Sequence, residues 1–310
     1  MALKQELRTW HRPLLVLTAL MAATLLLSVG GLLFDDRVLR GEPLWLKPFK
    51  FSVSIGVYAL TLAWLISLLG KGRKVVWWMG TISAAMLILE MIALVTQVFR
   101  VQPSHFNNAP GFDSLVFRMM GVAIVVMWLS NLVVALIVLR QRFVGAPMLW
   151  AIRFGLVLAL IGMAVAFMMP QPTPEQLELL RNDVQPALIG GHSVGVPDGG
   201  PGMPITHWST TGGDLRIPHF VGIHAMQALP LLAFFFGRRF GGRSELTRTR
   251  LIFVATFAYA GLLALTIWQA LRGQPLIHPD GLTLGVFGLL VAMTAVLTTS
   301  VLRTKEKTLV

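Results

Sequence analysis

The chain has 310 residues, of which 55% are hydrophobic and only 13% charged, and its formal net charge is +12. Soluble domains carry roughly 25% charged residues, so this composition excludes an ordinary soluble protein. It also excludes a disordered chain, because too much apolar surface would be exposed. The absence of cysteine excludes disulfide scaffolds, zinc knuckles, iron–sulfur clusters and cysteine nucleophiles. A multi-pass membrane protein is the class that remains.

The predicted elements are long apolar stretches, each with the ~20 residues needed to cross a ~30 Å hydrocarbon core. They predict an all-α membrane helix bundle of about eight transmembrane helices that forms one integral membrane domain over 1–310. No internal repeat is evident by eye. The stretches are 13–34, 49–69, 75–98, 114–139, 147–169, 217–237, 251–271 and 281–302.

The basic residues are distributed unequally between the two sets of connections. The termini and every second connection hold 16 lysines and arginines, and the alternate connections hold 8. The acidic residues show the opposite bias, with 3 in the first set and 10 in the second. The positive-inside rule therefore predicts an even number of spans with both termini in the cytoplasm. The excess positive charge is a topology signal, and we expect no nucleic-acid partner.

The longest connection, 170–216, lies on the predicted outer side. Pro174 follows Thr173, a pairing of helix cap and first-turn proline that predicts a short amphipathic helix near 174–182. The remainder is rich in glycine and proline. Loops of this length are either functional or mobile, and we expect this one to cover the outer face.

Six of the seven histidines map to the outer side, and three have informative surroundings: His105, His219 and His224. Histidine is a common metal ligand and an axial ligand of haem. We expect the three to converge on one outward-facing pocket and to bind a metal ion. Five helical residues turn roughly 140° past a full circle, so His219 and His224 point in different directions, and His219 could instead only support His224.

The sixth span begins in a polar stretch that contains Arg216, His224 and Gln227. His224 lies one to two turns inside the membrane boundary, where a polar side chain indicates function. Pro230 cannot donate a backbone hydrogen bond, so we expect the helix to kink there. With Asn107, which lies in the outer loop after the third span, these three residues are the predicted cofactor-binding group.

Two charged residues lie within predicted spans that are antiparallel neighbours, Glu90 in the third and Arg118 in the fourth. Their depths differ by only about 6 Å, so we expect them to form an ion pair. The pair is either structural or catalytic, with Glu90 accepting a proton and Arg118 tuning it.

Two segments, Ser104–Asn107 (SHFN) and 213–230 (GDLRIPHFVGIHAMQALP), resemble segments of an uncharacterised family of bacterial multi-pass membrane proteins. The resemblance covers about a fifth of the chain and implies the bacterial inner (plasma) membrane. It implies no reaction.

Three functions fit this pattern. The first is a redox protein with a metal ion (Fe, Cu or Zn) or haem bound in the outer pocket. The second is a transporter or channel for a small solute or ion, and the third is an accessory subunit that docks on a membrane-protein partner in the lipid bilayer. The sequence does not decide whether the protein is an enzyme, and it has no HExxH, GxSxG or phosphate-binding glycine loop.

The charge asymmetry makes the topology testable. Reporter fusions after Gly72, Val144 and Glu245 should all give a cytoplasmic signal, because each lies within a connection rich in basic residues. A fusion after Asn107 is the matched outer-side control. An outer-side signal from any of the first three would overturn the predicted orientation.

Overall fold

The computed structural model describes residues 10–304, and over this range the protein is an all-α bundle with two minimal β-ribbons. The basic residues Lys4, Arg8, Lys305 and Lys307, which contribute to the predicted topology, lie outside the described residues. The helices are α1 Arg12–Phe34, α2 Leu46–Leu68, α3 Arg73–Phe99, α4 Phe112–Leu139, α5 Ala146–Val165, α6 Pro174–Arg181, α7 Arg216–Ile223, α8 Ala225–Arg239, α9 Glu245–Leu271 and α10 Gly281–Arg303. The strands are β1 Val38–Leu39, β2 Glu42–Pro43, β3 Ser193–Val194 and β4 Gly213–Asp214, paired antiparallel as β1–β2 and β3–β4.

Within residues 10–304, seven helices are long and apolar enough to cross a membrane, and the bent pair α7–α8 brings the number to eight if it forms one span. A multi-pass membrane protein is therefore confirmed, and every helix overlaps its predicted stretch. The bundle ends are called outer and inner below, according to the predicted orientation.

The short helix α6 forms where the sequence predicts it. The hydroxyl of Thr173 accepts from the backbone N–H of Gln176, and Gln176 accepts from the backbone N–H of Thr173. This capping box satisfies two backbone donors that the first turn cannot bond internally. Gln176 also bonds to Gly190, which ties the helix to the following loop.

The structure contains an internal repeat that inspection of the sequence missed. The motif Gln-x-x-Arg-x-Gln-Pro occurs at 97–103 and again at 269–275, and each copy ends a long helix that leads into a helical hairpin. In both copies the first glutamine is buried, and its side-chain amide donates to the carbonyl of the motif's proline. In both copies the residue after the arginine has a left-handed backbone, and the arginine pairs with an aspartate near the start of the next helix. The hydrogen bond Gln97–Pro103 corresponds to Gln269–Pro275, and the ion pair Arg100–Asp113 corresponds to Arg272–Asp280. The two residues with a left-handed backbone are Val101 and Gly273.

The same correspondence extends over two halves of four spans each. Helices α1 and α5 both carry proline at their second position, and α2 and α7 both carry proline at their third position after a two-stranded ribbon. With the bent pair α7–α8 counted as one span, each half contains four spans, so both halves run through the bundle in the same direction. The halves differ mainly in their first outer connection, which is short in the first half and is the long 170–215 loop in the second.

Helix α5 packs closely against the bent pair through glycines. A Cβ atom built on Gly162 would lie 2.4 Å from the Cα of Gly222, and one built on Gly155 would lie 2.9 Å from the carbonyl oxygen of Ala225. Such contacts let helix backbones approach within lipid, where packing rather than hydrophobicity drives association. The pair bends by 43° at His224, and Pro230 lies inside a continuous α8. The break in the helix thus lies six residues before Pro230, and the kink expected at Pro230 stays a prediction.

Replacing Gly162 by leucine should destabilise the bundle by about 1–3 kcal/mol, because the added side chain has no space against α7. Thermal unfolding in detergent measures the effect. Gly285→Leu on α10 is the control, because nothing lies within 4 Å of its Cβ position. Equal melting temperatures for the two variants would contradict the close packing.

Candidate functional site: a cavity between the two halves

A cavity of about 660 Å³ lies between the two halves at the outer side. Helices α2, α3 and α4 of the first half line it on one side, and α5, α7 and α8 of the second half line it on the other. Its mouth is formed by the outer connections, including the loops around Glu42 and His105 and part of the 170–215 loop. Its inner wall is apolar, with side chains such as Leu87, Ile124 and Met226.

Ion pairs join the connections around the mouth. Arg216 bonds to Glu42 at 2.8 Å and to the fully buried Asp214 at 2.7 Å, and Lys50 reaches Glu42 at 3.0 Å. Burial opposes ionisation of Glu42, but Lys50 and Arg216 hold its pKa below the ordinary value. These contacts fix the start of α7 against the first half.

His192 and Asp198 form a second tie in the long loop. Nδ1 of His192 lies 3.2 Å from the Asp198 carboxylate, which also accepts from the backbone N–H groups of His192 and Ser193. Burial lowers the pKa of His192 to about 4, against the opposing effect of Asp198. Burial disfavours the Asp198 anion, but its hydrogen bonds hold the pKa well below the ordinary value. Arg40 approaches the same carboxylate at 3.7 Å.

Glu90 projects into the cavity from the middle of α3 and is only 1% exposed. Nε2 of His105 lies 3.3 Å from its Oε1, but neither carboxylate oxygen has a hydrogen bond of good geometry. Burial and the charge of Lys47 lower the pKa of His105, while Glu90 opposes that shift. The pair is thus a buried carboxylate next to a neutral imidazole.

Lys47 also lines the cavity, from the first turn of α2. Among residues 10–304 its ammonium has no hydrogen bond and no ion pair within 4 Å, although Glu42 and Glu90 are within electrostatic reach. Of the charged side chains in the cavity wall, Lys47 and Glu90 are the two that lack a direct partner of good geometry.

The repeat provides an internal comparison for these two charges. Counting from the shared prolines and the shared motif, Lys47 corresponds to Ile217 and Glu90 corresponds to Leu262. The second half builds the same helices with apolar residues at both positions. The architecture therefore does not require either charge.

The three histidines predicted as metal ligands, His105, His219 and His224, all line the cavity. However, no group of three His, Cys, Asp or Glu side chains in the described part of the chain could hold a metal ion. Nδ1 of His219 is 2.8 Å from the carbonyl of Gly162, and His224 contacts Gln227 at 3.3 Å and Ser54 at 3.4 Å. The structure does not support one metal ion shared by the three.

The predicted ion pair between Glu90 and Arg118 is wrong. Arg118 is exposed and its guanidinium bonds to Ser114 on its own helix, because α4 turns this side chain away from α3. Asn107 also lies outside the cavity wall, where it bonds to Pro103 and supports the loop. The other predicted binding residues, Arg216, His224 and Gln227, do line the cavity.

Sequence reasoning missed Lys47, Lys50 and His192. A signal for the two lysines was available: they lie on the outer side, against the positive-inside rule. Below them, polar side chains continue at the inner end of the cavity, where Tyr58 donates to Asn131 at 3.0 Å and Gln227 donates to Thr61 at 3.1 Å.

Comparison of the chain with protein-family models, curated proteins and solved structures finds no match. The function is therefore inferred from the cavity.

The burial of the His192 imidazole predicts destabilisation by acid. Below pH ~6.5 an unfolded chain protonates His192, whereas the folded chain resists protonation down to about pH 4. Stability should fall over this window as the pH is lowered, by about 1–3 kcal/mol. His192→Gln should reduce this slope in thermal unfolding, and His278→Gln, at an exposed outer loop histidine, is the control. An unchanged slope in His192→Gln would refute this assignment.

Proposed function

We propose that the protein binds an amphipathic small molecule in this cavity, taken up at the outer side of the membrane. The molecule carries an acidic group for Lys47, a hydrogen-bond donor for Glu90 and an apolar body for the inner wall. The resemblance of its polar segments favours the bacterial inner membrane.

Two charged side chains of the wall carry this proposal: Lys47, which has no hydrogen bond or ion pair among the described residues, and Glu90, whose close polar contact is the His105 imidazole at 3.3 Å. Glu90 is buried and Lys47 is half-buried at the cavity wall, and charged side chains at membrane depth without full pairing are costly and mark a functional site by default. The remaining charged side chains of the wall form ion pairs around the mouth. Since the second half does without charges at both equivalent positions, a bound molecule is the simplest source of the missing partners.

The size and wall chemistry of the cavity support a small-molecule ligand. Its volume of about 660 Å³ falls within the ~300–1,000 Å³ typical of ligand sites, which are mainly apolar with a few placed polar groups. The polar groups here cluster at the outer end, which suits a molecule with one polar end.

Transport is a second candidate. Transporter sites commonly lie at the interface of two internal repeats, and this cavity lies between two repeated halves. The polar pairs Tyr58–Asn131 and Gln227–Thr61 would continue a path inward. A redox metal or haem site has less support, because the described residues offer no three-ligand group.

Native mass spectrometry of protein purified in mild detergent tests the proposal. We expect a retained small molecule with an acidic group and an apolar body. Lys47→Met and Glu90→Gln should each lower its affinity about tenfold or more, since a hydrogen bond to a charged group contributes ~1.5–3 kcal/mol.

Arg118→Gln is the matched control, because it removes an exposed charge outside the cavity. Equal loss in Arg118→Gln, or stoichiometric Fe, Cu or Zn in place of an organic ligand, would contradict the proposal. Accumulation of the ligand inside reconstituted vesicles would assign transport.

A further inference from the structure

A second, smaller space lies beside the cavity in the seam between the two halves. A smaller space of about 420 Å³ lies between α2 and α7 and shares Lys50, Ser54, Phe220 and His224 with the main cavity. We call this space the seam window.

Polar contacts close the seam window above and below. At its outer edge Lys50 donates to the carbonyl oxygen of Thr206 at 2.8 Å. At its inner edge Ser54 and His224 approach at 3.4 Å across the seam. Between these contacts the walls are apolar, formed by Phe49, Val53, Phe220 and Val221.

The bend at His224 accounts for the window. Helix α2 is continuous from Leu46 to Leu68, whereas its counterpart in the second half breaks into α7 and α8 with a 43° bend. Above the bend α7 packs on α5 through Gly162 and Gly222, and it makes little contact with α2. The two equivalent helices therefore separate over their outer turns.

The depth of the window matches the outer leaflet. Val53 lies seven residues into the span that begins at Leu46, or about 10 Å along the helix, which is within the outer half of a ~30 Å core. Its side chain is 43% exposed. With the first residue of the span placed at the lipid boundary, a space at this depth faces hydrocarbon chains.

The ion pairs of the cavity wall leave a place for an acidic group at Lys47. Arg40 pairs with Asp198, Lys50 and Arg216 pair with Glu42, and Arg216 also pairs with Asp214, so Lys47 is the cation of the wall that has no ion pair. A lipid anion would place its head at Lys47 and Glu90, with its chain running out between α2 and α7.

We propose that the ligand is a single-chain anionic lipid with a hydroxylated head group, drawn from the outer leaflet through the seam window. This rests on the proposed function and adds the ligand class and the entry route. Lysophosphatidic acid has this chemistry, because its phosphate suits Lys47, its glycerol hydroxyl can donate to Glu90 and its one chain fits the window.

The test uses the full chain in phosphatidylcholine nanodiscs and radiolabelled oleoyl lysophosphatidic acid, with empty nanodiscs subtracted. Val53→Trp and Val221→Trp fill the window and should each weaken retention of this lipid about tenfold. Binding of glycerol 3-phosphate, which has the same head group and no chain, should be equal in wild type and both variants.

Val57→Trp is the matched control, because it adds the same ring one turn further along the exposed face of α2, outside both spaces. It should bind the lipid like wild type and should match the melting temperature of Val53→Trp.

Lipid retention that is unchanged in both window variants would overturn the seam window and leave the proposed function intact. A wild-type protein that retains a different amphiphile and no lysophosphatidic acid would overturn the lipid class alone. A wild-type protein that retains no amphiphile at all would overturn the proposed function.

Discussion

The close approach of α5 and α7 at Gly162 and Gly222 is the constraint on which the cavity depends. With no side chain on either residue, the two backbones come almost into contact, and α7 is held on α5 rather than on α2. The helix must then bend to rejoin the bundle, and it does so at His224. The position of the imidazole, the seam and the volume between the halves all follow from that one contact.

Two equivalent halves have acquired different chemistry. Both close their third span with a buried glutamine that caps the turn at a proline and an arginine that holds the next helix. In both halves the glutamine therefore provides a hydrogen bond to a backbone carbonyl at the point where the chain leaves the membrane. The first half then carries Lys47 and Glu90 at its two cavity positions, while the second half carries apolar residues there and supplies the loop that covers the mouth. Structural and functional requirements are thus divided between residues that repeat and residues that do not.

The sequence was sufficient for the features that depend on composition and local chemistry. Span number follows from apolar length, and the helix after Thr173 follows from its capping box. The sequence also indicated that the outer histidines would lie around one space, because the connections that carry them are on the same side of the membrane. The predicted orientation rests on charge counts alone.

The rotation of each helix about its axis could not be predicted, and this explains the error at Arg118. A helix in lipid is apolar on its outward face as well as its inward face. Hydropathy therefore predicts how deep a residue lies in the membrane, but not whether its side chain points to the bundle or to lipid. Glu90 and Arg118 have similar depths, yet α4 turns Arg118 outward and the carboxylate meets His105 instead. The bend at His224 was missed for a related reason: proline marks a missing hydrogen bond, whereas the break here arises from packing between two distant segments.

The ion pairs of the mouth lie on connections and at helix ends, not in the middle of spans. The side chains of Arg40, Glu42, Asp198 and Arg216 are nevertheless only 10–29% exposed, so dissolved ions screen these pairs much less than they screen pairs on an open surface. The glycine contact that holds α7 on α5 involves no charge and is insensitive to salt. The covering loop and the helical walls therefore both keep their positions over a wide range of salt concentrations, the loop because its charges are shielded by protein and the walls because they carry no charge at the contact.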